Sequence, residues 1–217
     1  MSKLLLSCLM LAALPASGDE RQEIMPAILY TTFKQPAPPA VTDALEDEVE
    51  TIMGPLGRHF AWRSIASSRG NEISTELAVL TFVGHCDISG IRPRATNPGA
   101  LGWTHVSDGA ILPFSDIDCD RVRVFLQKDL LYIPTAERET AFGRALGRVV
   151  AHELYHIFAN TSHHGSDGVA KAAYTSQDLL SDEFQFEDRE GHALRTTAPG
   201  MQSLAPSSAA KSVGHGF

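Results

Sequence analysis

AHELYHIFANTSHHGSDG, residues 151–168, is the stretch from which the rest of the chain takes its order. It closes a long helical pattern. From Thr135, the expected N-cap, to Ala159, the residues Phe142, Leu146, Val149, Val150, Leu154 and Ile157 make one apolar face. His152 and His156 stand four apart on that helix, so both imidazoles leave one face about one turn apart. Two nitrogens so placed can bind one zinc ion at about 2.0–2.1 Å. Glu153 follows the first histidine and points beside the metal, where it can take a proton from a zinc-activated water. A chance HExxH is expected in roughly a few chains per hundred of this size. Its weight here comes from the helix that carries it. The bland alternative, a core helix with two satisfied histidines, leaves Glu153 in need of burial or a partner and is costly.

Zinc needs a third protein ligand and an open position. His163 and His164 both lie just past the helix. Asn160 stands where the helix should stop, and Asn tolerates the left-handed conformation such a stop requires. The chain can then fold back and return a histidine to the metal. Asn160-Thr161-Ser162 also spells a glycosylation sequon, which is dismissed at the base of a metal site. Asp182, Glu183 and Glu187 would supply an acidic ligand in a different arrangement, but acids clustered this way usually form a solvated face. Tyr155 and Tyr174 are candidate oxyanion donors whose commoner use is half-buried packing. Gly143 and Gly147 are expected to allow close helix–sheet packing.

Upstream, Ala27 to Phe33 (AILYTTF) predicts a strand, broken by Pro36, Pro38 and Pro39. A helix follows, capped by Thr42, with Ala44, Leu45, Val49, Ile52 and Met53 at helical spacing and Gly54-Pro55 at its end. His59 to Ile65 and Glu76 to Val83 read as strands. After a loop from Arg92 to Gly99, Leu101 to Val106 and Ala110 to Ile117 read as a hairpin across Ser107-Asp108-Gly109. Asp120 to Lys128 suits strand or helix. Downstream, Val169 to Leu180 should hold a short helix, and Phe184 and Phe186 should pack back on the domain. Residues 192–217 are rich in Ala, Ser, Pro and Gly and read as a disordered tail.

The chain has 217 residues, 43% hydrophobic and 20% charged, which suits one globular domain. Its formal net charge of −8 argues against a nucleic-acid partner. Lys3, the apolar run Leu4 to Leu14 and Ala16-Ser17-Gly18 predict an export signal over residues 1–18. That run is too short to span a bilayer, and no transmembrane segment is expected later. Cys8 leaves with the signal. Cys86 and Cys119 remain, and in an oxidising compartment they are most simply one disulfide, worth about 3–4 kcal/mol by loop entropy.

The sequence resembles the zincin metallopeptidases, and among them the metzincin-like group, whose motif continues as HExxHxxGxxH. That group runs strand, helix, three further strands, then the active-site helix. The segment GALGWTHVSDGAILPFSDID is similar to the substrate-binding edge strand and following strand of matrixin-type domains. The resemblance covers about residues 27–170 and implies an α+β fold, a mixed twisted sheet packed on the HExxH helix, in a domain expected to span residues 19–191. It also implies that Leu101, Gly102 and Trp103 pair with substrate. The family glycine falls at Ala159 and its third histidine at Ser162, so the match must shift. A shift of one makes Asn160 the stop and His163 the ligand. A longer spacing selects His164 with Gly168 and needs no further adjustment, so His164 is preferred and His163 is the alternative. The family's floor methionine is unassigned, with only Met201 in reach.

The expected protein is therefore an exported zinc-dependent endopeptidase acting on polypeptide. It holds one zinc per chain on His152, His156 and His164, with Glu153 as general base. The alternative keeps the fold and loses the catalysis: an exported binding module with a structural or absent metal. Glu153 speaks against it, since a purely structural site needs no acid beside its ligands.

Overall fold

The computed structural model describes residues 26–70, 74–89 and 99–197. The expected signal segment, most of the loop from Arg92, and Met201 lie outside them. Strand β1 (Ala27–Phe33) leads into α1 (Pro39–Met53), then β2 (Phe60–Ser64), β3 (Leu77–Val83), β4 (Gly102–Ser107) and β5 (Ala110–Asp118). Helices α2 (Cys119–Leu130), α3 (Arg138–Phe158), α4 (Ser176–Leu180) and α5 (Asp188–Thr196) follow. Four strands and α2 thus stand between α1 and the motif helix α3, where the family order has three strands.

The sheet runs β2-β1-β3-β5-β4. Neighbours are parallel except β4, which pairs antiparallel with β5. This is the expected mixed sheet of an α+β fold, with β4 at one edge. Alternation along β3 buries Ala78, Leu80 and Phe82 in the core and leaves Leu77 exposed on the other face. In the hairpin, Asp108 (φ 50°) and Gly109 (φ 79°) both take the left-handed region. That is the two-residue turn whose twist matches the strands it joins.

Helix α3 is enclosed, with every residue from Ala145 to Phe158 buried. Its closest approach is to α1 and not to the sheet. A Cβ on Gly143 would collide with the Val41 carbonyl, and one on Gly147 would lie 2.8 Å from the Leu45 carbonyl oxygen. The two glycines therefore serve helix–helix packing. Neither expected threonine cap holds. Helix α1 begins at Pro39, whose fixed φ and missing N–H suit a first helical position. Thr42 lies inside that first turn, its hydroxyl donating to the Pro39 carbonyl at 3.0 Å. Thr135 opens a 3-10 turn, and α3 begins only at Arg138.

The undecided segment after β5 is helical, capped by Asp118, whose Oδ1 accepts from the Arg121 N–H at 3.0 Å. Cys86 and Cys119 form the expected disulfide, closing a loop that contains the whole hairpin. Phe184 and Phe186 pack back on the core as expected. The expected disordered tail starts too early. Helix α5 runs to Thr196 with Leu194 buried, and the buried Arg58 donates to the carbonyls of Leu194 (2.7 Å) and Thr197 (2.9 Å). One large apolar side chain in nine residues left little hydrophobic pattern to read. No helix among the described residues is long and apolar enough to cross a membrane.

Candidate metal centre

The last two turns of α3 present His152 and His156 side by side, with their Nε2 atoms 3.1 Å apart. His152 Nδ1 lies 2.8 Å from the Val169 carbonyl oxygen, and His156 Nδ1 lies 2.7 Å from that of Thr161. A carbonyl can only accept, so these contacts favour the tautomer in which each Nδ1 carries the hydrogen. Both Nε2 atoms then face each other as lone pairs. Burial holds His152 down at a pKa of about 4, and the His156 and His164 rings push the same way. Burial also lowers His156. Neutral imidazoles with converging lone pairs are what a divalent cation requires.

Past α3 the chain reverses. Asn160 takes φ 47°, and the Thr161 N–H donates to the His156 carbonyl at 3.1 Å. Gly168 takes φ 63°, and any side chain there would collide with the Gln185 carbonyl. The Gly165 N–H donates to the Ala170 carbonyl at 2.8 Å, closing a tight turn. This turn returns His164 to the pair. Its ring centroid lies 5.2 Å from His152 and 4.9 Å from His156, and one ligand nitrogen from each of the three falls within 4.8 Å of the others. His163 remains exposed and outside the group, with its backbone N–H donating to Thr161 Oγ1 at 3.1 Å. The three imidazoles fit a zinc ion by donor type and convergence, and His152 and His156 also by tautomer.

Glu153 points toward the edge strand. It is 4% exposed, and Thr104 Oγ1 donates to its Oε2 at 2.8 Å. Thr104 in turn meets the buried Ser115 hydroxyl at 2.8 Å. Burial pushes the Glu153 carboxyl up to a pKa of about 7, against the opposing pull of the Thr104 bonds. Gly102 leaves room for it, since a Cβ there would stand 3.0 Å from both Glu153 Oε1 and Val149 Cγ1.

A cavity of about 610 Å³ opens where β4 meets the histidine turns of α3. Leu101, Gly102 and Trp103 line one wall and the three histidines with Glu153 the other, while Tyr174 helps to close it. Leu101 lies one residue before β4, yet its carbonyl accepts from the Asp118 N–H at 2.9 Å. No strand among the described residues pairs with the outer edge of β4.

The other candidates lie apart. Asp182 and Glu183 are exposed, and Glu187 accepts from Ser166 at 3.0 Å. Tyr155 is buried against Phe186, with ring centroids 5.6 Å apart. The Tyr174 hydroxyl donates to the Val169 carbonyl and is not offered to the cavity as an oxyanion donor. Burial drives its phenol well above the usual range, so it keeps its hydrogen. Sequence reasoning passed over Thr104, Ser115 and the two carbonyls. Thr104 had a readable signal, standing two residues from Gly102 and hence on the same strand face.

No protein-family model matches the sequence, and no curated protein matches it. Among solved structures the chain is similar to archaemetzincin from Methanopyrus kandleri. The identity is 13%, the alignment covers 81% of this chain and 97% of that one, and the TM-score is 0.46. No residue's role follows from a likeness of that size.

Proposed function

We propose that the chain is an exported zinc-dependent endopeptidase. The observation that carries this reading is the convergence of His152, His156 and His164, with ligand nitrogens within 4.8 Å of one another, beside the buried Glu153. These histidines would hold one zinc ion per chain. When bound, zinc supplies Lewis acidity, polarising a peptide carbonyl and acidifying a water.

The chain's own residues do the rest. An extended polypeptide adds itself to the free edge of β4, through the backbone of Leu101, Gly102 and Trp103. Thr104 holds Oε2 of Glu153, which leaves Oε1 beside Gly102 to receive a proton from the attacking water. A carboxylate whose pKa lies near neutrality can both take that proton and return it to the leaving amine. Export rests on Lys3, the Leu4 to Leu14 run and Ala16-Ser17-Gly18, and the Cys86–Cys119 disulfide accords with an oxidising compartment.

The test is zinc content and peptide hydrolysis of the purified protein beside three variants. About one zinc per chain is expected, lost in His164→Ala and kept in His163→Ala. Glu153→Gln should keep zinc and lose hydrolysis. Turnover retained in Glu153→Gln would sink the general-base role. A wild type that takes no zinc would favour the binding module instead.

A further inference from the structure

Tyr174 lies in the segment between His164 and α4, where no periodic pattern marks it. Its surroundings form a continuous packed line from α1 to the metal centre. The fully buried Arg148 donates to Glu48 at 2.6 Å and to the carbonyls of Asp178 (2.6 Å) and Ser181 (2.7 Å), pinning the α4 region to α3. Its guanidinium carbon stands 5.2 Å from the Phe184 ring centroid. Phe184 meets Tyr174 edge to face at 5.5 Å, and Tyr174 meets His152 likewise at 5.6 Å. The Tyr174 hydroxyl donates to the Val169 carbonyl, and its oxygen lies 2.9 Å from His152 Nδ1.

We propose that Tyr174 is a positioning residue, which holds His152 in the tautomer with hydrogen on Nδ1 and Nε2 bare before any metal arrives. The reading of His152 as a ligand is the one this rests on. Hydrogen arithmetic supplies the reason. Tyr174 has one hydroxyl hydrogen, and the Val169 carbonyl has taken it. What Tyr174 turns toward Nδ1 is therefore a lone pair, and the Val169 oxygen offers Nδ1 another at 2.8 Å. Two acceptors and no donor face that nitrogen, so only the N–H form is satisfied there. A water in place of the hydroxyl would bring a spare hydrogen, could donate to a bare Nδ1, and would admit the other tautomer. In that second form Nε2 carries the hydrogen and is closed to a metal.

The test compares wild type, Tyr174→Phe and the control Tyr132→Phe, a tyrosine that is 90% exposed. Two readouts are taken. Long-range ¹H–¹⁵N NMR of the metal-free protein at neutral pH reads the His152 tautomer, and chelator competition reads zinc affinity. Wild type and control should show only the Nδ1–H form. Tyr174→Phe should show both forms and bind zinc roughly 10–100-fold more weakly. A single tautomer with unchanged zinc affinity in Tyr174→Phe overturns the proposal. So does a mixture of tautomers in the wild type, a result that needs no variant to fold. If the wild type binds no zinc, the metallopeptidase reading falls, and the tautomer comparison still decides the role of Tyr174.

Discussion

The two walls of the cavity are built by different means. On the strand side, Gly102 and Thr104 sit in a regular antiparallel pair, held by a ladder that continues through five strands. On the loop side, from Asn160 to α5, little regular structure exists. Single contacts fix that wall: two left-handed residues at Asn160 and Gly168, a short turn at Gly165, and the reach of Arg148 into the Asp178 and Ser181 carbonyls. Yet this irregular wall supplies His164 and both carbonyls that orient the helix histidines. The difference teaches where the site is vulnerable. On the proposed reading, substrate pairing would be spread over many equivalent bonds, while metal binding would depend on a few irreplaceable ones.

The largest effect is expected from cutting the tie between α3 and the loop wall. Arg148→Ala strands Glu48 beside α3 with only the longer Arg144 contact of 3.3 Å, leaves the Ser181 carbonyl to Arg144 at 2.9 Å, and leaves the Asp178 carbonyl with only the Ser181 hydroxyl at 3.2 Å. A loss of about 3–5 kcal/mol is expected in urea unfolding. A loss under about 1 kcal/mol would mean that the loop wall holds itself.

Next comes Glu153, the residue that joins the two walls. Its folded-state pKa is raised from 4.5 to about 7, so the proton binds more tightly in the folded chain. The associated stability is present below pH 4.5 and is lost as pH rises through about 7. In metal-free protein at pH 8, Glu153→Gln should therefore raise unfolding stability by about 3 kcal/mol, with little gain near pH 4. The opposite trend would show that Glu153 is held as a carboxylate by something other than Thr104.

The smallest effects sharpen the contrast through two glycines. Gly168→Ala forces a side chain into a left-handed position and against the Gln185 carbonyl, so about 2 kcal/mol of stability should go, and zinc affinity with it. Gly102→Ala crowds Glu153 and Val149 from a strand that its ladder keeps in place. It should cost about 1 kcal/mol, leave zinc affinity unchanged, and lower kcat roughly tenfold or more. Chelator competition and hydrolysis rates measured on both variants check the split. Equal zinc loss in the two would erase the distinction between the walls.

The same division explains what was legible in the sequence. His152, Glu153 and His156 could be placed because one helix sets all three, and the helical period is written in Phe142, Leu146 and Val149. The edge strand could be placed from alternation and the Asp108-Gly109 turn. Spacing to Gly168 favoured His164 over His163, but local pattern could not supply the reason, which lies in where Gly168 docks against the Gln185 carbonyl, a contact between distant residues. Val169 and Arg148 were silent for the same reason, and Tyr174 was noticed only as a candidate oxyanion donor: their work lies in tertiary partners, which no period announces. Thr42 and Thr135 misled, since a threonine before an apolar run signals a cap only if the chain has not already begun to turn. At α1 it had, from Pro39.

The open edge of β4 has a consequence beyond the proposed reaction. An unpaired strand that can accept any extended backbone can also accept the same strand of another molecule. Trp103, Val106 and Phe114 lie exposed on this hairpin and would add apolar area to such a pairing. A register irregularity between Thr104 and Val106 interrupts the ladder partway along the hairpin. It leaves Gly102 to Thr104 as a short regular run beside the cavity, long enough to hold a few residues of peptide and too short to template a long sheet between molecules.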